Sequence, residues 1–206
     1  MVLALVLGDL HVPQRAAHIH EAFRKMFHPD RIQMVFVTGN VTSKAMLRYL
    51  YSIFPEVYCT RGDFDHADME DLPESLVVEV EDLKVGLVHG HQIVPLGDRE
   101  SLAAFQRQLD VDLLISGGTH LSKIFEFDSH LFVDPGSATG AFTAYDLNVI
   151  PSFVLLDIQK SSVIAFTYRY IPADHTVGEN DAVGEKHLGK EADTAIRINK
   201  REWTKG

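Results

Sequence analysis

Five apolar runs in this chain each stop at a short turn and then present a carboxylate, an amide or an imidazole. Val2–Leu7 runs into Gly8-Asp9-Leu10-His11, Met34–Val37 into Thr38-Gly39-Asn40, and Val57–Thr60 into Arg61-Gly62-Asp63. Lys84–Val88 runs into His89-Gly90-His91, and Leu113–Ser116 into Gly117-Gly118-Thr119-His120. Short, nearly continuous apolar runs of this kind read as strands buried on both faces. In open α/β sheets the loops beyond strand C-termini converge on one edge, and ligands bind there. The pattern predicts that Asp9, His11, Asn40, Asp63, His89 and His120 meet on a single edge. A lone Gly-Asp after a strand is usually a turn. The ordered repetition is what distinguishes this set.

The remaining chain alternates between strand and helix patterns. Ala16–Phe27 places Ile19, Phe23, Met26 and Phe27 on one helical stripe, and Lys44–Ile53 and Glu100–Leu109 also read as helices. Leu76–Val80 with Lys84–Val88, Lys123–Phe127 with His130–Val133, and Phe153–Ile158 with Val163–Tyr170 read as hairpins. The fold class is therefore α/β, a two-sheet β-sandwich flanked by helices. With 206 residues, 46% of them hydrophobic, the chain can bury a core as one domain spanning 1–206.

Charge and cysteine content narrow the functional classes. A net charge of −10, from 19 basic and 29 acidic residues, argues against a general nucleic-acid or anionic-membrane surface. The single cysteine, Cys59, excludes an internal disulfide and suits a reducing compartment. Val2–Leu7 lacks basic flanks and stops at Asp9, so it reads as neither signal peptide nor membrane span. A cytoplasmic protein that reaches any membrane through partners is expected. A mixed carboxylate, amide and imidazole set suits manganese, zinc or iron rather than calcium. Seven of the 11 histidines, His18, His20, His28, His66, His130, His175 and His187, fit no pattern.

The ordered series resembles the ligand motifs of calcineurin-like metallophosphoesterases. The longer stretches Gly8-Asp9-Leu10-His11-Val12-Pro13, Arg61-Gly62-Asp63-Phe64-Asp65, Gly86-Leu87-Val88-His89-Gly90-His91-Gln92, Pro135-Gly136-Ser137-Ala138-Thr139-Gly140-Ala141 and Ile150-Pro151-Ser152-Phe153-Val154-Leu155 resemble the small subunit of retromer, the vacuolar protein sorting 29 family. The resemblance covers Val2 to about Tyr170 and resumes near Ile196-Arg197-Ile198, which is similar to the family's last strand. Between them lies a polar, Gly- and Glu-rich segment, about 173–193, expected to be an inserted flexible loop.

By that resemblance one metal would take Asp9, His11, Asn40 and His120. A second would take Asn40, Asp63, His89 and a side chain that Gly118 lacks. The enzymes of the superfamily have Asp at position 40 and a His at position 64 that serves the leaving oxygen; this chain has Asn40 and Phe64. Gly118 departs even from the retromer family, which normally has His there. A divalent ion, zinc or manganese, is therefore expected to bind weakly or in part, the first site better than the second. General acid–base assistance is typically worth about 10²–10⁴-fold, and Phe64 cannot supply it. The resemblance thus implies a non-catalytic scaffold subunit of retromer in retrograde transport from endosomes, with a residual metal-dependent phosphodiesterase as the alternative. It places contact with retromer's large α-solenoid subunit at Ile93, Val94 and Leu96. It places a patch for Rab-regulating proteins at Phe27, Leu155, Tyr168 and Ile198, with Met26 beside Phe27. Localisation would be cytoplasmic and peripheral on endosomes, through the complex.

Overall fold

The structure, a computed structural model, describes residues 1–66, 69, 71–172, 186–191 and 194–206. In chain order its first elements are β1 (Val2–Leu7), α1 (Glu21–Arg24), β2 (Met34–Val37), α2 (Lys44–Ile53) and β3 (Glu56–Cys59). They are followed by β4 (Ser75–Val80), β5 (Leu83–Val88), α3 (Arg99–Leu109), β6 (Leu113–Ile115), β7 (Ser122–Phe127) and β8 (His130–Pro135). The last four are β9 (Ser152–Gln159), β10 (Ser162–Pro172), β11 (Lys186–Glu191) and β12 (Thr194–Thr204).

The strands form a seven-stranded sheet, β11-β12-β10-β9-β1-β2-β3, and a five-stranded sheet, β4-β5-β6-β8-β7. Each contains a parallel trio: β1, β2 and β3 at one end of the larger, β5, β6 and β8 in the middle of the smaller. Strand alternation explains why both faces of β1 are apolar. Ala4 and Val6 point between the sheets and pack with Phe36, Leu87, Ile115 and Val133. Leu5 and Leu7 point the other way and pack with Phe23, Val35 and Leu50 beneath the first two helices. The third helix covers the smaller sheet through Leu102 and Ala103, which meet Leu114 and Phe132. The layers run helix, sheet, sheet, helix, and burial on both sheet faces accounts for the continuous apolar runs. Among the described residues no helix is long and apolar enough to cross a membrane.

Two expectations need correction. The helix read over Ala16–Phe27 is only Glu21–Arg24. The N–H groups of Arg15 and Ala16 still donate to the carbonyl of His11, at 2.9 and 3.2 Å, so the chain is tied to the preceding turn where the helix should begin. Ile19, Phe23 and Phe27 are nevertheless buried, through turns rather than a continuous helix. The inserted loop expected over about 173–193 contains a strand, β11, paired antiparallel with β12. Backbone hydrogen bonding at a sheet edge needs no apolar run, so the polar composition concealed it. Residues 173–185, 192 and 193 of that segment lie outside the described residues.

Candidate metal centre

The C-terminal ends of both parallel trios point to one edge, and their loops carry the polar series. Asp9 and His11 follow β1, Asn40 follows β2, Asp63 follows β3, His89 follows β5 and His120 follows β6. Four of these take the left-handed backbone region: Asp9 (φ 44°), His11 (φ 45°), Asn40 (φ 53°) and His120 (φ 61°). For residues other than glycine this is disfavoured and persists only where surrounding structure imposes it. Long-range backbone hydrogen bonds do so here, His11 N–H to Asn40 O at 2.8 Å and Ala138 N–H to Gly8 O at 3.0 Å. Asp65 adds a buried carboxylate that accepts from the N–H groups of Asn40, Gly62 and Thr42 at 2.9, 2.8 and 2.7 Å, clamping the second and third loops together. Gly62 is required by close approach, since a Cβ there would lie 2.2 Å from Asn40 Oδ1.

Asp9 is the hub. Its Oδ1 lies 3.8 Å from His11 Nε2, 3.4 Å from His120 Nε2 and 4.0 Å from His89 Nε2. Asn40 Nδ2 donates to Asp9 Oδ1 at 3.1 Å and to Asp63 Oδ1 at 3.0 Å, and lies 3.0 Å from His89 Nε2. All six residues expected from the sequence therefore come together. Asn40 differs in one respect: its NH₂ faces the centre, while Oδ1 accepts from Phe64 N–H at 2.8 Å. To offer its oxygen to a metal the amide must turn over and release that bond.

The donor set fits a divalent ion. His11 is fully buried, yet neither ring nitrogen has a hydrogen-bond partner, and burial brings its pKa down to about 4 despite the nearby Asp9. An orphaned neutral imidazole is costly unless something binds it, and it is in the form a metal takes. His120 Nδ1 meets Ala141 O at 2.7 Å and His89 Nδ1 meets Thr38 O at 2.9 Å. Each carbonyl takes an Nδ1–H and leaves Nε2 turned to the centre, as the carbonyls behind metal-bound histidines do. Burial disfavours the charged form of His89, but the hydrogen bond to Asp63 and the field of Asp9 outweigh it and raise its pKa. The hydrogen bond with His89, and next that from Asn40, hold the Asp63 carboxyl well below the usual range against its desolvation. Among the described residues two groups of ligand atoms result, Asp9 with His11 and His120, and Asp63 with His89 and His91. Gly118 has φ +79°, and a Cβ there would stand 3.4 Å from His89 Nε2.

A cavity of about 500 Å³ opens over the site. Phe64 stands at its mouth, 47% exposed, with the Arg15 guanidinium 4.4 Å above its ring. Leu96, Leu121 and Tyr145 line the same cavity and are at least half exposed, and Val94 is 81% exposed. Leu121 and Tyr145 carry no sequence signal, because they sit in loops without periodicity. Ile93, expected with Val94 and Leu96 on the contact surface, is instead buried against Leu102 and Leu114. Its N–H donates to Gly90 O at 2.9 Å, a tight turn that directs the side chain inward.

The other expected patch lies on the helix-side face of the larger sheet. Leu155, Tyr168 and Ile198 are half-buried, with Leu155 opposite Phe166 and Tyr168 opposite Ile198 in the ladder. Tyr168 stacks on Phe153 with ring centroids 4.6 Å apart. Phe27 is buried beside Phe54 and Phe153, so it supports this face from beneath and does not present itself.

Comparison with known proteins agrees with this architecture. Residues 1–161 match the model of the calcineurin-like phosphoesterase superfamily domain. The vacuolar protein sorting-associated protein 29 of Schizosaccharomyces pombe is 36% identical over 172 residues, covering 82% of this chain and 91% of that protein. The crystal structure of Chaetomium thermophilum Vps29 superposes with a TM-score of 0.84 at 34% identity, covering all of both chains. Wild-type Vps29 of Entamoeba histolytica, solved in complex with Zn²⁺, gives 0.79 at 38% identity, covering 98% of this chain and 99% of that one.

Proposed function

The chain belongs to the Vps29 family of calcineurin-like phosphoesterase domains, and on that premise we propose that it is a non-catalytic scaffold subunit of retromer. It binds the large α-solenoid subunit at the metal edge and Rab-regulating proteins on the outer face of the larger sheet. It acts in the cytoplasm, peripheral on endosomes, in retrograde transport. The observation that carries this reading is the mouth of the metal cavity. Where a phosphoesterase needs a proton donor there is Phe64; Leu96, Leu121 and Tyr145 line the same cavity and present apolar surface to solvent, and Val94, exposed, lies two residues before Leu96 in the chain. Contiguous exposed apolar surface marks a protein contact rather than a phosphoester site. Stoichiometric co-purification with the solenoid subunit tests the reading, and a chain that never co-elutes with it overturns it.

A divalent ion fits this role as a structural element. Asp9, His11 and His120 would hold it, with zinc favoured by two imidazoles and a carboxylate and by the zinc complex of the Entamoeba relative. When bound, such an ion would supply Lewis acidity and polarise a phosphoryl oxygen. Phe64, at the position where the superfamily's enzymes carry a His, has no proton to give the leaving oxygen. With millimolar manganese and an aryl phosphodiester, turnover is expected to equal that of an Asp9→Ala/His89→Ala double variant. Metal-dependent turnover that disappears in the double variant would restore the phosphodiesterase reading.

The second surface has its own test. Leu155 is half-buried on the sheet face, so Leu155→Glu places a carboxylate at the patch without hollowing the core. The variant is expected to stay folded and keep the solenoid subunit. Its binding to Rab-regulating partners should fall at least about 100-fold, since an unpaired charge in an apolar contact costs several kcal/mol. Calorimetry against both partners reads this directly. Loss of the solenoid with retention of the regulators would mean that the two faces are assigned the wrong way round.

A further inference from the structure

The second group of ligand atoms contains a histidine that the family's ligand pattern leaves out. Asp63, His89 and His91 each offer one atom, and the three atoms lie within 4.8 Å of one another. Gly118 lies beside the same histidine, where a Cβ would stand 3.4 Å from His89 Nε2, so the imidazole missing from position 118 would have reached this spot. His91 reaches the spot from a different loop, its ring centroid 5.2 Å from that of His89.

We propose that His91 replaces the absent position-118 imidazole, so that Asp63, His89 and His91 bind a second divalent ion of the zinc class. The loop bearing His91 is held by short-range bonds, Gly90 N–H to Gln92 Oε1 at 3.1 Å and Ile93 N–H to Gly90 O at 2.9 Å. His89 is oriented by Thr38 O, with Nε2 already 3.1 Å from Asp63 Oδ1. The competing partner of His91 is Glu74, 4.0 Å away with its side chain 63% exposed. A loose ion pair of that kind does not fix a side chain. Ligands on one tetrahedral zinc stand about 3.4 Å apart, from bond lengths of about 2.0–2.2 Å. The widest pair must therefore close by up to about 1.4 Å, within the side-chain freedom of a part-exposed Asp63 and His91. Two imidazoles and a carboxylate, with solvent in the remaining position, make a zinc-type ligand set.

The test uses the full chain and zinc alone, with no partner protein, so its outcome is separate from that of the retromer reading. In an Asp9→Ala background, which disables the first group, titration calorimetry is expected to show one remaining zinc. Adding His91→Ala should weaken that zinc at least about tenfold. In the wild-type protein the ring resonances of His91 should shift with the second equivalent of zinc, a readout that needs no variant. Equal zinc affinity with and without His91→Ala overturns the assignment. So does a second equivalent that leaves the His91 ring unmoved, or the absence of a second bound zinc.

Discussion

Val94→Asp is expected to abolish binding to the retromer solenoid subunit while leaving the isolated chain folded. Val94 is 81% exposed and packs in none of the core clusters, so a polar replacement there should change stability by no more than about 0.5 kcal/mol. In the proposed complex the same position is desolvated between apolar surfaces. A carboxylate brought there without a partner costs about 3–4 kcal/mol, which lowers affinity roughly 10²–10³-fold. Calorimetry with the solenoid subunit, alongside thermal melts of the free chains, checks both halves of the expectation. A folded Val94→Asp protein that binds normally would remove this loop from the interface. The neighbouring Ile93→Asp should instead destabilise the domain, because Ile93 belongs to the core beneath the third helix.

Asp134→Asn is expected to stabilise the protein above neutral pH. Asp134 closes β8 and is buried, and burial pushes its carboxyl up to about 7 even though it accepts hydrogen bonds from the Thr119 hydroxyl and the Gly136 N–H. In the unfolded chain the same group titrates near its ordinary value, about 3.9. Between those values the folded state holds a proton that the unfolded state has lost. The contribution of Asp134 to stability is therefore fully present below about pH 4, declines as pH rises, and is gone above about pH 7. Asparagine can keep an acceptor for Gly136 N–H and place its NH₂ on the Thr119 oxygen, with no charge to desolvate. The gain at pH 8 should be on the order of 2–4 kcal/mol, or roughly 5–10 °C in Tm. Melts at pH 4 and pH 8 test this, because the two proteins should differ at pH 8 and converge at pH 4. A variant no more stable at pH 8 would mean that Asp134 is ionised in the native state at little cost.

These two expectations differ in how far the sequence alone reaches them. The strands were legible because residues on both faces of a central strand are buried, so Val2–Leu7, Met34–Val37 and Leu113–Ile115 are apolar throughout. Strand direction then carried Asp9, Asn40, Asp63, His89 and His120 to one edge, since parallel strands deliver their C-terminal loops together. The losses at Phe64 and Gly118 are matters of residue identity and needed no coordinates. Side-chain direction outside the regular elements did need them. Nothing in His91-Gln92-Ile93-Val94-Pro95-Leu96 separates the inward Ile93 from the outward Val94, because a turn has no period from which to read a face. The burial of Asp134, the inward-facing NH₂ of Asn40 and the nearness of His91 to Asp63 likewise depend on loops far apart in the chain. The pairing of β11 leaves no mark in the sequence for a related reason, because an edge strand is held by backbone hydrogen bonds that any residue but proline can make. Periodicity records which face of a regular element is buried, whereas the chemistry at the metal edge is set by contacts between loops, and those exist only once the two sheets have packed.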